Sequence, residues 1–148
     1  MKICMLSDSH GKKQSVFTLL YESDYDYIFF LGDGLKDMED FDAKNVLKVC
    51  GNCDIFEVAP ITQFIEIDGV KFLLTHGHEF KAKFSPYGLV KVAKERGASV
   101  VCFGHTHKQT YEEIDGITLI NAGAFKNGDY AEITVKNGKI EKVDFKEI

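Results

Sequence analysis

The sequence is short of several features that mark specialised classes of protein. It contains only two prolines among 148 residues, and it shows no internal repeat, low-complexity tract or linker. Hydrophobic residues make up 45% and charged residues 28% of the chain, which is typical of a well-packed globular protein and argues against disorder. We therefore expect a single domain over residues 1–148.

Concentrated basic charge is also missing. The formal net charge is −5, and lysine clusters such as Lys12-Lys13 and Lys81-x-Lys83 are small. A protein that binds nucleic acid by neutralising phosphates usually carries larger basic clusters. We therefore expect no strong nucleic-acid footprint.

No segment is apolar enough to serve as a signal peptide or a membrane span. The apolar residues at the N-terminus end at Leu6, and Ser7-Asp8-Ser9-His10 follows at once. We therefore expect a cytoplasmic protein without a membrane partner.

The four cysteines do not form a convincing thiolate site. Cys4 and Cys102 lie within apolar runs, where a reduced cysteine behaves as a small core residue. Cys50 and Cys53 have the spacing of a redox pair or of half a zinc site, but the sequence has no second pair. A redox or zinc-binding protein that uses Cys50 and Cys53 stays a minor alternative.

Short apolar runs that read as β-strands alternate with two helical stretches. The helices are predicted from Lys13 to Glu22 and from Tyr87 to Arg96, the second closed by Gly97. From Lys108 onward, turn signals predict an antiparallel meander. The predicted fold is α/β, with two packed mixed β-sheets flanked by helices. The predicted strands are Ile3–Leu6, Tyr27–Leu31, Val46–Val49, Phe64–Ile67, Val70–Leu74, Val100–Phe103, Thr118–Ile120, Ala131–Val135 and Val143–Phe145.

Polar motifs follow the ends of five predicted strands, where open α/β sheets place their ligands. Every histidine of the protein belongs to these motifs, which indicates one cluster rather than scattered residues. Imidazole and carboxylate ligands suit Mn, Fe or Zn. The motifs are Asp8-Ser9-His10, Gly32-Asp33-Gly34, Gly51-Asn52-Cys53-Asp54, His76-Gly77-His78 and Gly104-His105-Thr106-His107.

Asp33 is the best candidate for a carboxylate shared by two metal ions. It is flanked by glycines and directly follows the strongly apolar run Tyr27–Leu31. Two cations about 3.5–4 Å apart form a clamp for phosphoryl transfer, and their repulsion requires a shared anionic ligand.

The order Asp-x-His, Gly-Asp, Gly-Asn-x-Asp, His and Gly-His-x-His resembles the calcineurin-like metallophosphoesterase superfamily, in particular its small bacterial and archaeal phosphodiesterase branch. The resemblance runs from Asp8 to His107. It implies a four-layer αββα sandwich and a hydrolase in which water or hydroxide attacks phosphorus in line while two metals stabilise the developing charge.

The resemblance also implies the ligands and the partners. Mn²⁺ is the expected cofactor, with Fe, Ni or Zn as alternatives, and Asp33, Asn52 and His76 are expected to act in catalysis. The substrate would be a small phosphodiester, with a phosphomonoester as a second option, and relatives suggest a homodimer. The first metal would be bound by Asp8, His10, Asp33 and His107, and the second by Asp33, Asn52, His76 and His105.

Two positions depart from the family pattern. Larger members carry a histidine that protonates the leaving group where this chain has Cys53, although members of the small branch often carry cysteine there. This favours substrates whose leaving group needs little protonation. The second departure is Asn121-Ala122-Gly123-Ala124, where relatives commonly have Asn-Pro-Gly-Ser.

Simpler interpretations exist for several residues taken one at a time. Asp8 and Asp33 alone would be interpreted as turn or capping residues. His78 competes with His76 for one ligand position, and the family pattern favours His76. Asp54 is expected to orient a ligand, with a plain loop charge as the alternative. Phe80, Phe84 and Tyr87 could line a substrate pocket or pack into a core.

The sequence is compatible with two functions from different classes. The first is a metal-dependent phosphodiesterase. The second is a scaffold that keeps the fold and binds proteins through its surface, as the sorting subunit of retromer does. A complete ligand set favours the enzyme.

Overall fold

Ten strands and two α-helices make up the computed structural model, which describes residues 1–148. Three short 3₁₀ turns lie in the connecting loops, at Leu35–Met38, His78–Phe80 and Phe125–Asn127. In chain order the elements are β1 (Lys2–Leu6), α1 (Lys13–Leu20), β2 (Tyr27–Phe30), β3 (Val46–Lys48), β4 (Thr62–Ile67), β5 (Val70–Thr75), α2 (Tyr87–Arg96), β6 (Val100–Phe103), β7 (Thr110–Ile114), β8 (Ile117–Asn121), β9 (Asp129–Lys136) and β10 (Lys139–Glu147).

The strands form two mixed sheets of five strands each. The first sheet has the order β10-β9-β1-β2-β3, in which β1, β2 and β3 are parallel and β9 runs antiparallel to β1. The second has the order β4-β5-β6-β8-β7, in which β5, β6 and β8 are parallel. In the first sheet the parallel strands therefore occupy one side and the antiparallel hairpin β9-β10 the other. In the second sheet the parallel centre is flanked by the antiparallel edge strands β4 and β7.

The main hydrophobic core lies between the two sheets. Because side chains alternate along a strand, Ile3 and Met5 of β1 point into this core, whereas Cys4 and Leu6 belong to the outer face. Phe29 of the first sheet meets Phe72 of the second edge to face, with ring centroids 5.4 Å apart. The two sheets are thus joined by interdigitated apolar side chains.

The two helices cover the outer faces of the sheets. Val16 and Leu20 of α1 pack on the outer face of the first sheet, and Leu89 and Ala93 of α2 pack on the second. The central strands are consequently buried on both faces, which explains why they read as continuous apolar runs. Gly97 ends α2 in the left-handed conformation at φ 76°.

The predicted architecture is confirmed, since the structure has two packed mixed sheets with helices outside. One detail of the strand prediction is wrong. The prediction omitted β7, which begins Thr110-Tyr111-Glu112-Glu113 and is an exposed edge strand without apolar alternation.

No helix of the structure is both long and apolar enough to cross a membrane.

The predicted C-terminal meander is also wrong. Strands β7 and β8 form a hairpin in the second sheet, whereas β9 and β10 form a hairpin in the first. The turn signals at Asp115-Gly116 and Asn137-Gly138 do mark hairpins, with positive φ at both residues of each. Asn127-Gly128 instead belongs to a connection between the sheets, at the 3₁₀ turn Phe125–Asn127.

Candidate metal centre

The predicted ligands lie in loops that follow five strands. Strands β1, β2 and β3 are parallel neighbours in one sheet, and β5 and β6 are parallel neighbours in the other, so the carboxyl ends within each sheet share an edge. Asp8 and His10 follow β1, Asp33 follows β2, Asn52 follows β3, His76 follows β5, and His105 and His107 follow β6.

The backbone of this region adopts an unusual conformation. Five of the seven predicted ligands have positive φ, a region that non-glycine residues rarely occupy: Asp8 (54°), His10 (42°), Asp33 (62°), His105 (68°) and His107 (63°). Such conformations persist only where surrounding contacts enforce them, and they concentrate at functional sites. The loops are therefore shaped to aim these side chains.

Asp8 lies at the centre of the cluster and is completely buried. Its Oδ1 atom is 3.2 Å from His107 Nε2, 3.8 Å from His10 Nε2 and 3.8 Å from His76 Nε2. The Ser7 hydroxyl and the backbone N–H of His105 donate to its other oxygen, Oδ2, at 2.6 and 3.1 Å. One oxygen is thus held in place while the other faces three imidazoles.

Asp33 joins the two halves of the cluster. Its Oδ2 atom is 3.2 Å from His76 Nε2 and 3.9 Å from His10 Nε2, and its Oδ1 atom accepts the backbone N–H of Cys53 at 2.8 Å. The residue is 3% exposed. Its free oxygen therefore lies between histidines that approach it from different loops.

His76 is oriented as a ligand would be. Its Nδ1 atom is 2.7 Å from the carbonyl oxygen of Leu31 at the end of β2, which can accept a hydrogen bond only if Nδ1 carries the proton. Nε2 then presents a lone pair to the cluster. This atom is fully buried and makes no hydrogen bond, which is unusual for a buried polar atom.

Three groups of potential metal ligands occur around these residues. In each group the donor atoms lie within 4.8 Å of one another. Cys53 Sγ is a member of one group, which makes this exposed thiol part of the rim of the cluster. The groups are Asp8 with His10 and His107, His10 with Asp33 and Cys53, and Asp33 with His76 and His105.

Asn52 is the one predicted ligand without a described contact to the other six. Its side chain is exposed, and its amide group lies 3.6 Å from Cys53 Sγ. It stands between Gly51 and Cys53, which both adjoin Asp33. The structure thus places its backbone beside the cluster, and its role as a ligand stays a prediction.

The donor set fits divalent cations. Asp8 and Asp33 are buried, yet no lysine or arginine forms an ion pair with either of them. Buried carboxylates without a compensating positive charge are costly, and metal coordination is one of the usual solutions. The combination of imidazole nitrogen and carboxylate oxygen suits first-row transition metals.

A family model for the calcineurin-like phosphoesterase superfamily domain matches residues 1–141. The chain belongs to this superfamily. A probable metallophosphoesterase of Mycoplasma pneumoniae is 30% identical over 154 aligned residues, which cover 97% of this chain and 96% of that protein. A phosphodiesterase of Methanocaldococcus jannaschii is 31% identical, with 83% of each chain covered.

Solved structures of the superfamily have the same fold. A predicted phosphoesterase from Streptococcus pneumoniae superposes with a TM-score of 0.84 at 26% identity, covering 99% of this chain and 88% of that chain. Vps29 from Entamoeba histolytica, solved in complex with zinc, has a TM-score of 0.79 at 17% identity, covering 100% of this chain and 98% of that chain. The resemblance to calcineurin-like metallophosphoesterases is thereby confirmed.

Asp54 holds two loops of this protein together. Its Oδ1 atom accepts the backbone N–H groups of Gly34 and Leu35 at 2.8 and 3.0 Å. Its Oδ2 atom accepts those of Asp33 and Gly51 at 2.7 and 2.8 Å. The residue therefore orients the loop that carries Asp33, as expected, and is more than a loop charge.

Two further residues support the ligand loops, and the sequence interpretation missed them. Asp37, which is 5% exposed, accepts hydrogen bonds from the Ser9 hydroxyl at 2.5 Å and from the Gly11 backbone at 2.9 Å. Asn121, completely buried, donates to the carbonyl oxygen of Gly104 at 2.9 Å and to the Thr106 hydroxyl at 3.0 Å. Nothing near Asp37 in the sequence indicates this contact, whereas Asn121 begins the turn Asn121-Ala122-Gly123-Ala124, which is one of the two departures from the family pattern.

Gly51 and Gly104 are required by close approach. A Cβ atom at Gly51 would overlap the Asp33 carboxylate, and one at Gly104 would lie 2.6 Å from Ser7 Oγ and 2.7 Å from Asp8 Oδ2. Any larger residue at these two positions would displace a central carboxylate.

In the absence of metal, the electrostatic environment keeps Asp33 and His105 in the protonation states that cations require. Burial would lower the pKa of His76, but the adjacent Asp33 and Asp8 carboxylates outweigh it and raise that pKa, so a cation competes with a proton there. Burial would raise the pKa of Asp33, but the adjacent His76 and the Cys53 N–H outweigh it and hold that pKa well below the usual range. Burial, with the positive charges of His76 and Lys83, lowers the pKa of His105 to about 4. At neutral pH, Asp33 is therefore ionised and His105 has a free lone pair.

The remaining candidates lie around the rim. His78 is beside the cluster, with its ring centroid 5.5 Å from that of His76 and 6.2 Å from that of His105. Phe80 packs against the core beneath α2, whereas Phe84 and Tyr87 are exposed. Cys4 and Cys102 are buried as predicted, and all four cysteines are free thiols.

Proposed function

We propose that this metallophosphoesterase is a phosphodiesterase that uses two divalent cations, with Mn²⁺ as the first choice, to hydrolyse a small phosphodiester. The observation that carries the proposal is the position of Asp33 Oδ2, which lies 3.2 Å from His76 Nε2 and 3.9 Å from His10 Nε2. These histidines belong to different donor groups, and Asp33 belongs to both. Asp33 is therefore the bridging carboxylate in this proposal.

The remaining ligands divide around that bridge. Asp8, His10 and His107 complete the first site together with Asp33, and Asn52, His76 and His105 complete the second. Five of these six side chains fall into donor groups that agree with this assignment. Asp8, His10 and His107 form one group, and His76 and His105 belong to the group of Asp33. The assignment of Asn52 rests on the family resemblance and on its place beside Gly51.

When bound, a pair of divalent cations lowers the pKa of a coordinated water towards about 7 and neutralises charge that develops on the phosphoryl group. The chain's own residues supply the rigid frame that this chemistry needs. His76 is fixed through its Nδ1 contact with Leu31, and Asp8 through Ser7 and the backbone of His105. Asp33 is fixed through the Cys53 N–H.

Cys53 limits the leaving groups that the site can handle well. It stands where larger family members carry an acidic histidine, and burial together with Asp33 raises the pKa of its thiol. A thiol with a raised pKa is a poor proton donor for an alkoxide leaving group. The site is therefore suited to diesters with acidic leaving groups, such as aryl phosphodiesters.

The test is hydrolysis of bis(p-nitrophenyl) phosphate with added Mn²⁺, before and after chelation, and with the Asp33→Asn variant. We expect chelator to abolish turnover and Asp33→Asn to reduce kcat by about a hundredfold or more, because the charge of a metal ligand is lost. Asp24→Asn, at an exposed position without a described hydrogen bond, is the matched control and should keep wild-type activity.

Metal content separates a defective enzyme from a misassigned site. Asp33→Asn and His107→Ala should both bind less Mn²⁺ than the wild type, measured on folded protein. Loss of metal in the double Cys50→Ser, Cys53→Ser variant, with full metal content in His107→Ala, would favour the cysteine-based alternative and contradict the ligand assignment.

A protein-binding scaffold is the second candidate, supported by the likeness of fold to Vps29. The Vps29 structure was solved with zinc, so metal binding alone does not separate the two functions. Turnover does. Absence of hydrolysis with Mn²⁺, Fe²⁺, Ni²⁺ and Zn²⁺, for diesters and monoesters alike, would favour the scaffold.

Three wider expectations stay predictions. They are a single domain over residues 1–148, residence in the cytoplasm and assembly into a homodimer. Sedimentation of the purified protein would test the last of these directly.

A further inference from the structure

A groove of about 450 Å³ lies beside the metal centre. This is the size range of pockets that bind small molecules. One wall comes from the segment between the 3₁₀ turn at His78–Phe80 and α2, and the other from β6, β7 and the loop between them. The side chains used below are Lys83, Phe84, Phe103, Thr106, Lys108 and Glu112, all of which line the groove.

The groove adjoins two of the ligand loops. Thr106 stands between His105 and His107 and forms part of the wall. Phe103, at the end of β6, lies against Gly77, where a Cβ atom would be 3.7 Å from the Phe103 ring. A substrate with its scissile phosphate at the centre can therefore extend one arm into this groove.

The charges in the groove favour an anion. Lys83 and Lys108 are exposed, and neither forms an ion pair with a carboxylate of this chain. Glu112 is the only acidic residue among the ten that line the groove. Two lysines without an ion-pair partner thus line one cavity in a protein whose net charge is −5.

The groove on the other side of the centre has the opposite character. It has a volume of about 350 Å³. Besides Asp33, whose charge the proposed cations would neutralise, it is lined by three more acidic residues, Asp37, Asp54 and Glu57. Its only lysine, Lys36, is 3.9 Å from the Glu57 carboxylate. A second negative charge on the substrate would therefore be repelled on that side and attracted on the Lys83 side.

Resting on the proposed phosphodiesterase function, we propose that the groove between Lys83 and Lys108 binds a second phosphate group of the substrate. The substrate class is then a phosphodiester that carries a further phosphate on one arm. Phe84, 89% exposed at the edge of the groove, offers an aromatic face for a ring on the same arm. A nucleoside phosphate meets both requirements.

The test compares two substrates that share a leaving group and differ by one phosphate. They are thymidine 5′-(p-nitrophenyl phosphate) and the same compound with an added 3′-phosphate, assayed with Mn²⁺. The 3′-phosphate should raise kcat/KM of the wild type by about fivefold, the scale of two solvent-screened charge pairs. In Lys83→Met/Lys108→Met the ratio should fall to about one, because methionine keeps the length of the side chain and removes its charge.

Lys91→Met is the matched control. Lys91 is an exposed lysine on α2 outside the groove, so this variant should keep the wild-type ratio. A ratio of one in the wild type, or an unchanged ratio in the double variant, would overturn the proposed subsite. Either result would leave the phosphodiesterase function intact, because both substrates would still be hydrolysed.

Equilibrium binding gives a readout that does not depend on turnover. Calorimetry of thymidine 3′,5′-bisphosphate with Mn²⁺-loaded protein should show a dissociation constant about fivefold higher for the double variant than for the wild type or Lys91→Met. Equal affinities would contradict the proposal. If neither substrate were hydrolysed, the proposed function would fail, and this binding difference alone would decide whether the groove recognises phosphate.

Discussion

Asp54 illustrates how one carboxylate can position a proposed metal ligand, Asp33, by binding its backbone rather than its side chain. It accepts four backbone N–H groups from the loops after β2 and β3. A charged carboxylate holds a backbone N–H group by a stronger hydrogen bond than a neutral acceptor does. The loop that presents Asp33 is therefore fixed before any cation is bound.

Replacing Asp54 should weaken both stability and metal binding. In Asp54→Asn the amide nitrogen cannot accept hydrogen bonds, so two of the four N–H groups lose their acceptor. We expect the free energy of unfolding to fall by about 2 kcal/mol, measured by urea denaturation. The affinity for Mn²⁺ should fall about tenfold or more. Asp24→Asn should change neither quantity, and equal effects of the two variants would contradict the role of Asp54.

Cys53 should be the most reactive thiol of the native protein. It is exposed, Cys50 is half-buried, and Cys4 and Cys102 are buried. Burial raises the pKa of Cys4 to about 12, which keeps that thiol protonated and unreactive in the native state. Titration with a disulfide reagent should therefore show one fast phase, and Cys53→Ser should lack it.

Bound Mn²⁺ should slow that fast phase. The Cys53 Sγ atom lies within 4.8 Å of ligand atoms of His10 and Asp33, so an occupied centre restricts access to the thiol. The rate is measured with and without saturating Mn²⁺, and Asp33→Asn serves as the comparison. A rate that does not respond to Mn²⁺ would indicate that cations bind away from this part of the cluster.

The contact between the sheets, rather than the helices, should dominate stability at the scale of secondary-structure elements. Phe72 of β5 is completely buried and meets Phe29 of β2 edge to face. Phe72→Ala should therefore lower the free energy of unfolding by about 4 kcal/mol, measured by chemical denaturation. Phe84→Ala, at a position 89% exposed, is the matched control and should have little effect. Similar losses in both variants would contradict this description of the core.

For the molecule as a whole, cation binding should couple to folding. Asp8 and Asp33 are buried without a lysine or arginine partner, so in the native protein without metal only the surrounding histidines can offset their charge. Mn²⁺ at a hundred times its dissociation constant should add about 2.7 kcal/mol per site to the free energy of unfolding. The measurement is denaturation with Mn²⁺ or with chelator.

The variant His107→Ala provides the control for that coupling. It removes one ligand of the proposed first site and leaves the three donors of the Asp33, His76 and His105 group in place. We expect it to lose part of the stabilisation by Mn²⁺ and to keep the rest. Full stabilisation of this variant would show that His107 does not bind a cation.

The elements that could be predicted from the sequence are those that local patterns determine. Strands such as β1 and β6 are buried on both faces and therefore appear as continuous apolar runs. The helix Tyr87–Arg96 ends at Gly97, as its sequence signal indicates. By contrast, β7 is an exposed edge strand, and its pairing with β8 rather than its own side chains makes it a strand.

The sequence alone identified the residue types of the candidate site, because only a few side chains can bind a metal ion and their positions after predicted strands are visible without knowledge of the packing. Only the tertiary structure decided which atoms meet. Asp37 and Asn121 bind the loops that carry the predicted ligands across 26 and 17 residues of chain, respectively, and such contacts leave no local pattern. Likewise, β9 follows the connection at Phe125–Asn127 and pairs with β1 rather than with β8. This pairing depends on how whole sheets pack together, which no local sequence pattern records.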